Sequence, residues 1–241
     1  MTRRRFFAPP SAFNFGKRVV TLTADEARHL REVLRLKLGD EVSVFDGAGK
    51  EFRARVAQAR REFAELELGD EIAPARPESP FQITLALALL KGEKFDLVVQ
   101  KATELGVVKI VPLTTRYADI KLRDEGDARK RVARWQRIAL EAAKQCGRGL
   151  VPEVSAPERL GSVLKNPCFL FSEKGGHGLT PIETDHVTAI VGSEGGWSDE
   201  ELEEARTAGA QIITLGGRIL RAESAAITAA ALLQHRFGDL K

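Results

Sequence analysis

Hydrophobic and polar residues alternate in short segments through the first 72 residues of the chain. The alternation is clearest at 18–22, 41–45 and 51–56, and the turn sequences Gly39-Asp40 and Asp46-Gly47-Ala48-Gly49 separate these segments. A period of two places every second side chain on one buried face, which is typical of β-strands. The pattern therefore predicts a small β-rich barrel.

A short helix and a proline-rich segment complete the amino-terminal part. The helix is predicted from Asp25 towards Leu36, because apolar residues recur at helical spacing, at Ala27, Leu30, Val33 and Leu34. Three prolines between Ala73 and Pro80 remove backbone donors and fix φ, so neither a strand nor a helix can continue there. We therefore predict a first domain over residues 1–72, a linker over 73–80 and a second domain over 81–241.

The second domain has longer apolar runs that alternate with helical patterns. The runs predict strands buried on both faces, at 81–89, 107–113, 168–171, 187–191 and 211–215. Helices are predicted at about 92–105, 127–146 and 223–237, and one more begins at Ser198 with a capping box that closes on Glu201. This alternation predicts an α/β fold, with helices on both faces of a parallel sheet.

Composition narrows the class of protein. The longest apolar stretch, Ile83 to Leu90, is too short to cross a bilayer, and the Arg3-Arg4-Arg5 start lacks the apolar core of a signal peptide. Two cysteines without a CxxC pair and four scattered histidines disfavour a disulfide framework or a metal site. We therefore expect a cytoplasmic protein that needs neither a membrane nor a metal.

Charge is distributed unevenly along the chain. Residues 1–79 carry 15 basic and 13 acidic groups, residues 80–150 carry 14 and 8, and residues 151–241 carry 8 and 13. The three segments thus have net charges of +2, +6 and −5. The first two segments could bind a polyanion, or their charges could only solvate exposed faces. Charge alone does not decide between these interpretations.

Three glycine-bearing loops follow predicted strands, at 171–176, 192–198 and 215–221. None has the GxxxxGK[ST] pattern of a phosphate-binding loop or the GxGxxG pattern of a dinucleotide site, which disfavours nucleotide triphosphatases and NAD enzymes. Ligands of open α/β sheets bind at the carboxyl ends of the strands. The loops therefore favour a ligand pocket of another kind.

Charged residues beside these loops are further candidates. Arg218, Arg221 and Glu223 stand at the start of the last helix, where they could orient an anionic polymer or could be ordinary surface and helix-dipole groups. On the long helix and just after it, Glu141, Gln145 and Arg148 are three or four residues apart, as on a solvated helix face. Each of these patterns fits either a functional site or an ordinary exposed surface.

Four motifs together resemble the bacterial small-subunit ribosomal RNA uridine-N3 methyltransferases of the SPOUT class. They are Lys101–Val107, Glu141–Arg148 with Pro152, Val191–Ser198 and Leu215–Ala225. Their order and spacing agree with that family, and the resemblance extends over nearly the whole chain. Single positions differ, because the family usually has Pro at Ser193, Phe at Trp197 and Thr at Ser224.

The resemblance implies a fold, a cofactor and partners. The fold is a PUA-like amino-terminal domain that binds RNA, followed by a SPOUT α/β domain with a deep trefoil knot. Members act as homodimers on small-subunit ribosomal RNA, free or in the assembled subunit, with S-adenosylmethionine as the methyl donor. The implied cofactor-binding positions are Glu173, Gly192, Glu194, Gly195, Leu215, Gly216, Ile219 and Leu220.

The implied reaction suggests roles for the remaining candidates. Uridine N3 carries a proton at neutral pH and lies on the base-pairing edge, so the base must be unpaired and must lose that proton. We assign Arg218 or Arg221 to stabilising the resulting anion, with Glu223 as proton acceptor or orienting group. The expected RNA contacts are Arg3, Arg4, Arg5, Arg35, Lys37, Gln145 and Arg148.

Three alternatives stay open on the sequence. A ribosome-assembly factor could keep the RNA-binding surfaces without catalysis. A methyltransferase of the same knotted class could act on another RNA position, although the Asn-x-Gly-x-x-x-Arg start of the ribose 2′-O-methyltransferases is not found after Pro80. A serine hydrolase is the weakest alternative, because the sequence around Ser193 is not GxSxG.

Overall fold

The computed structural model describes residues 4–165 and 167–241. Contacts divide the chain into two compact units. The first unit contains the chain up to Glu78 together with Ala143–Val151, and the second contains Ser79–Ala142 and Pro152–Lys241.

The first unit is built on a six-stranded sheet. Its strands are β1 (Arg5–Phe7), β2 (Phe13–Asn14), β3 (Val19–Leu22), β4 (Glu41–Phe45), β5 (Glu51–Ala59) and β6 (Ala64–Ile72). They lie in the order β1-β4-β5-β6-β3-β2, with β1 parallel to β4 and the other neighbouring pairs antiparallel. Alternate side chains form one core, which includes Phe6, Leu22, Leu30, Val44 and Leu66. The prediction of a β-rich first domain is confirmed.

The predicted helix from Asp25 towards Leu36 is present, but it changes its winding after Arg28 and ends before Leu36. Helix α1 covers only Ala24–Arg28 and continues as a π-helical turn over His29–Val33. Arg35 then has a φ of 52°, in the left-handed region, which ends the helical path. Apolar spacing does not reveal this change because Leu30, within the π-helical turn, stays fully buried.

The second unit is an α/β domain. Its strands are β7 (Gln82–Ala88), β8 (Val107–Thr114), β9 (Glu153–Val154), β10 (Glu158–Arg159), β11 (Cys168–Phe171), β12 (His186–Val191) and β13 (Gln211–Ile213). Its helices are α2 (Lys94–Glu104), α3 (Glu125–Cys146), α4 (Leu160–Val163), α5 (Asp199–Thr207) and α6 (Ala222–Phe237). The last turn of α3 belongs to the first unit by its contacts.

The sheet of the second unit is parallel throughout. The strands lie in the order β10-β8-β7-β12-β11-β13, and β9 pairs with β8. Every pair in this sheet is parallel. The central strands β7 and β12 are mostly apolar and mostly buried, as expected for strands of a parallel sheet whose two faces are both covered. The prediction of an α/β fold with a parallel sheet is confirmed.

The predicted capping box begins helix α5. The Oγ atom of Ser198 accepts a hydrogen bond from the Glu201 N–H at 3.2 Å, and the Glu201 carboxylate accepts one from the Ser198 N–H at 3.0 Å. These bonds satisfy two backbone donors that the first turn of a helix leaves unpaired.

We expect Ser198→Ala to lower the free energy of unfolding of the second unit by about 1 kcal/mol, because one backbone donor loses its acceptor. Denaturant unfolding measures this change. Ser224→Ala is a matched control, since Ser224 is exposed in the first turn of α6 and its hydroxyl makes no hydrogen bond within the described chain. Equal losses in the two variants would contradict the capping role.

Candidate active site

The carboxyl ends of four parallel strands surround one cavity in the second unit. Tyr117 follows β8, and the other lining segments are 171–174 at the end of β11, 191–199 at the end of β12 and 213–222 at the end of β13. The cavity volume is ≈ 620 Å³, within the roughly 300–1,000 Å³ that is typical of small-molecule sites. Three glycine-bearing loops that are far apart in sequence therefore line the same cavity.

The positions that the family resemblance assigns to the cofactor all line this cavity. They are Glu173, Gly192, Glu194, Gly195, Leu215, Gly216, Ile219 and Leu220. Arg218 and Arg221 line it as well, and Glu223 lies in the first turn of α6 with its side chain 14% exposed. The structure thus brings the cofactor and catalytic candidates together, while their individual roles stay predictions.

Close packing explains two of the glycines in the loop after β12. A Cβ atom on Gly195 would lie 2.6 Å from the Cβ and 2.8 Å from the carbonyl oxygen of Tyr117. A Cβ atom on Gly192 would lie 3.1 Å from the indole ring of Trp197. A larger residue at Gly195 must therefore displace backbone, which would change the shape of the cavity.

Trp197 ties two of the loops together. Its ring is 9% exposed, and its Nε1–H group donates a hydrogen bond to the carbonyl oxygen of Phe171 at 2.9 Å. This bond joins the loop after β12 to the end of β11. The sequence marks Trp197 only as a departure from the family pattern, because a contact between residues 26 positions apart leaves no local signal.

A charged cluster lies beside the loop after β12. Lys94, the first residue of α2, has its Nζ atom 2.8 Å from Glu194 Oε1 and 3.6 Å from Glu223 Oε2. The hydrogen bond to Glu194 raises the pKa of Lys94, although desolvation opposes this. Burial would raise the pKa of Glu194, but the hydrogen bond and charge of Lys94, with a backbone hydrogen bond, lower it overall. Both groups are therefore charged at neutral pH.

Several polar groups in and beside the cavity make no hydrogen bond within the described part of the chain. Ser193 Oγ and Glu223 Oε2 are buried without a hydrogen bond, although Lys94 lies 3.6 Å from the latter. The guanidinium groups of Arg218 and Arg221 are exposed, and no described residue pairs with them. Buried polar groups normally have partners, so these atoms fit a site that is completed by a polar ligand.

The predicted RNA contacts belong to the first unit. Arg4, Arg35 and Lys37 are exposed, as is Gln145 near the end of α3. Arg3 lies outside the described residues. The exposed side chains can reach phosphates, which makes them suitable for backbone contacts with RNA.

The predictions for Arg5 and Arg148 do not fit the structure. The Arg5 side chain is 7% exposed, lies 3.0 Å from the fully buried Glu51 carboxylate, and packs over the Phe45 ring at 4.3 Å. The Arg148 side chain is 6% exposed and lies 2.7 Å from Glu78. Because both guanidinium groups are enclosed in ion pairs of the first unit, we replace their predicted RNA contacts with structural roles.

The chain matches two family models. Residues 77–234 match an RNA methyltransferase domain, and residues 22–69 match an RNA methyltransferase PUA domain. The chain belongs to the RNA methyltransferase family. The resemblance seen in the sequence and the PUA-like character of the first domain are thereby confirmed.

Members of the RNA methyltransferase family that resemble this chain have been named and solved. Ribosomal RNA small subunit methyltransferase E of Synechocystis is 34% identical over 88% of this chain and 71% of its own length. The Neisseria gonorrhoeae enzyme of the same name, solved with S-adenosyl methionine, is 33% identical with a TM-score of 0.88 over all of both chains. A Legionella pneumophila methyltransferase solved with bound SAM is 31% identical with a TM-score of 0.89, again over all of both chains.

Within residues 4–165 and 167–241, no cluster of three or more His, Cys, Asp or Glu side chains is arranged to hold a metal ion. In the same residues, no helix combines the length and apolar character that spanning a membrane requires.

Proposed function

We propose that this chain transfers a methyl group from S-adenosylmethionine to N3 of one uridine in small-subunit ribosomal RNA. Membership of the RNA methyltransferase family supports the general activity. Relatives named for small-subunit ribosomal RNA and solved with S-adenosylmethionine support the substrate and the cofactor. The observation that carries the proposal is the single cavity that joins the three glycine-bearing loops, with two unpaired arginines along its lining.

The cavity has the groups needed to hold this cofactor. The glycine-bearing loops expose backbone N–H and C=O groups, and Glu194 adds a carboxylate beside them. Such groups suit an adenosine base, a ribose and an amino-acid tail, each of which presents donors and acceptors. When bound, S-adenosylmethionine supplies a methyl group carried on a positively charged sulfur. We propose that the eight positions of the resemblance hold it.

The residues at the start of α6 would act on the uridine. Arg218 and Arg221 are free to donate hydrogen bonds to the ring oxygens, where negative charge grows once N3 loses its proton. Glu223 is the proposed acceptor or orienting group for that proton, because its Oε2 atom is buried and without a hydrogen bond. Holding both substrates in one cavity would provide much of the rate enhancement by orientation.

The remaining parts of the proposal concern recognition and assembly. We propose that residues 1–72 bind RNA through Arg3, Arg4, Arg35 and Lys37, with Gln145 contributing, and that 73–80 connects them to a catalytic domain over 81–241. A trefoil knot and a homodimer stay predictions from the family resemblance. The ribosomal substrate places the reaction in the cytoplasm.

Nucleoside analysis tests the reaction. Purified protein is incubated with labelled S-adenosylmethionine and small ribosomal subunits that lack the modification, and the RNA is digested to nucleosides. We expect the label in 3-methyluridine. Label on a ribose or on another base would contradict the assignment of the target atom.

Calorimetry separates the enzyme from a ribosome-assembly factor without catalysis. A methyltransferase binds S-adenosylmethionine with measurable heat, and ligand binding to the folded state raises the melting temperature. Heat and a higher melting temperature are expected here. If neither is observed while ribosomal RNA still binds, the chain is an RNA-binding factor.

Charge removal tests the RNA-binding surface of the first unit. We expect Arg35→Gln and Lys37→Gln each to reduce the slope of log Kobs against log salt by about 1, because each removes one phosphate contact. Filter binding of a ribosomal RNA fragment at several salt concentrations measures the slope. Lys130→Gln in α3 serves as the control for loss of an exposed charge. Unchanged slopes in the two test variants would exclude this surface.

A further inference from the structure

We infer that Lys94 is a positioning residue that holds Glu194, and with it the loop after β12, against the start of α6. The inference rests on the proposed function, because it concerns the loop that would bind the cofactor. Neither the motifs nor the resemblance assign any role to Lys94. In the structure, Lys94 connects the start of α2 with the loop after β12, about a hundred residues later, and with the start of α6, about thirty residues after that loop.

The geometry places one cation between two carboxylates. Lys94 begins α2, Glu194 stands in the loop after β12, and Glu223 lies in the first turn of α6. The Lys94 ammonium donates a hydrogen bond to Glu194 at 2.8 Å and lies 3.6 Å from Glu223. All three side chains are at least two-thirds buried, with exposed fractions of 32%, 27% and 14%. Partial burial reduces solvent screening and makes their charges interact more strongly.

The surrounding charges make a cation necessary at this position. Asp119 acts on Glu194 with a third negative charge, although Lys91 pairs with Asp119 at 2.7 Å. Without Lys94, the carboxylates of Glu194 and Glu223 would be left close together with no cation between them. Like charges at short range repel, so the loop would move away from α6.

The loop itself has little else to hold Glu194. Its neighbours Gly195 and Gly196 have no side chains, and Gly196 has a φ of +69° that other residues rarely adopt. Within the described residues, Lys94 is the side chain that hydrogen-bonds to the Glu194 carboxylate, which also accepts one hydrogen bond from the backbone. Glu194 therefore depends on Lys94 for a fixed position, and the cavity wall depends on Glu194.

The affinities for two ligands distinguish a positioning role of Lys94 from a simple effect of its charge. S-adenosylmethionine carries one more positive charge than S-adenosylhomocysteine, because only the former has a sulfonium. A displaced loop weakens the binding of both ligands equally. A change in local charge alone alters the affinity for S-adenosylmethionine and leaves that for S-adenosylhomocysteine almost unchanged.

The experiment titrates both ligands by calorimetry into the wild-type protein, Lys94→Met and Lys94→Arg. We expect Lys94→Met to weaken both by about fivefold, a typical coupling for a partly exposed pair. Lys94→Arg should recover most of the loss, since arginine keeps the charge and the donors. Lys109→Met is the matched control, because Lys109 pairs with Glu153 at 3.3 Å with 38% exposure, near the amino-terminal end of β8. It should bind both ligands like the wild type.

Two more variants keep the inference testable if the Lys94→Met protein does not fold. Glu194→Gln removes the other partner, and Lys94→Met combined with Glu194→Gln should lose no more affinity than either change alone. Thermal melting identifies variants that bind poorly because they are unfolded. Unchanged affinities, a change in either direction that is confined to S-adenosylmethionine, or additive losses in the double variant would overturn the inference. If the wild-type protein binds neither ligand, the proposed function itself fails.

Discussion

Replacing both Arg218 and Arg221 by Met is expected to lower kcat for methyl transfer by roughly 10²-fold to 10³-fold, the usual cost of removing donors that stabilise a developing anion. The two guanidinium groups line the cavity, and no described residue pairs with them. They are therefore available to the proposed uridine substrate, and methionine keeps part of their apolar bulk while removing every side-chain donor. The Kd for S-adenosylmethionine should change little, because we propose that the backbone of the loops holds the cofactor.

Single-turnover methylation at saturating RNA and cofactor measures this effect, since it reports the chemical step without product release. The single variants then show which arginine carries more of it. Arg236→Met is the matched control, because Arg236 is an exposed arginine in the last turn of α6, the helix that follows Arg221. A comparable loss in Arg236→Met, or a loss that appears only in the Kd for the cofactor, would contradict the proposed role.

Gly195→Ala is expected to weaken S-adenosylmethionine binding by roughly 10-fold to 100-fold, the cost of forcing extra atoms into close packing. The added Cβ would lie 2.6 Å from the Cβ and 2.8 Å from the carbonyl oxygen of Tyr117. Because backbone must yield on one side or the other, the loop after β12 shifts and the cavity changes shape. Calorimetry gives the Kd.

The control for this prediction is Gly178→Ala. A Cβ atom at Gly178 meets nothing within 4 Å, and this glycine has no positive φ in the range that glycine favours. The same chemical change should therefore leave the affinity and the melting temperature as they are. An unaltered Kd in Gly195→Ala would show that the loop does not shape the cofactor site.

Local patterns predicted the elements whose signals are contained within a few residues. The capping box of Ser198 and Glu201 is visible in four letters, and the apolar run of β7 is long enough to show burial on both faces. Strands β9 and β10 contain two residues each, which is too short for any periodicity. The length of an element therefore decided whether it could be predicted.

The features of the site that the sequence did not reveal depend on contacts between residues that are far apart in the chain. Arg4 and Arg5 are neighbours with the same chemistry, yet Arg4 is exposed and the Arg5 guanidinium is enclosed with Glu51. That difference comes from the pairing of β1 with β4, which no local pattern of three residues predicts. Lys94 is similar, because its role depends on two carboxylates that arrive from distant segments.

The family motifs supplied candidate site residues that the periodicity of hydrophobic residues could not identify. Glycine is common at strand ends for purely geometric reasons, so Gly192 or Gly216 alone would have indicated nothing. Their common cavity, rather than their presence, makes them candidates for one ligand. Physical arguments from the sequence thus indicated the edge of the sheet at which this cavity lies, and the resemblance indicated which loops belong together.

Hydrogen exchange with and without S-adenosylmethionine tests the central claim, that the loops after β11, β12 and β13 form one receptacle for this cofactor. The account predicts slower exchange of backbone amides in all three segments, 172–176, 192–197 and 214–221, at the same cofactor concentration. Protection confined to one loop, or appearing instead in the first unit, would contradict it.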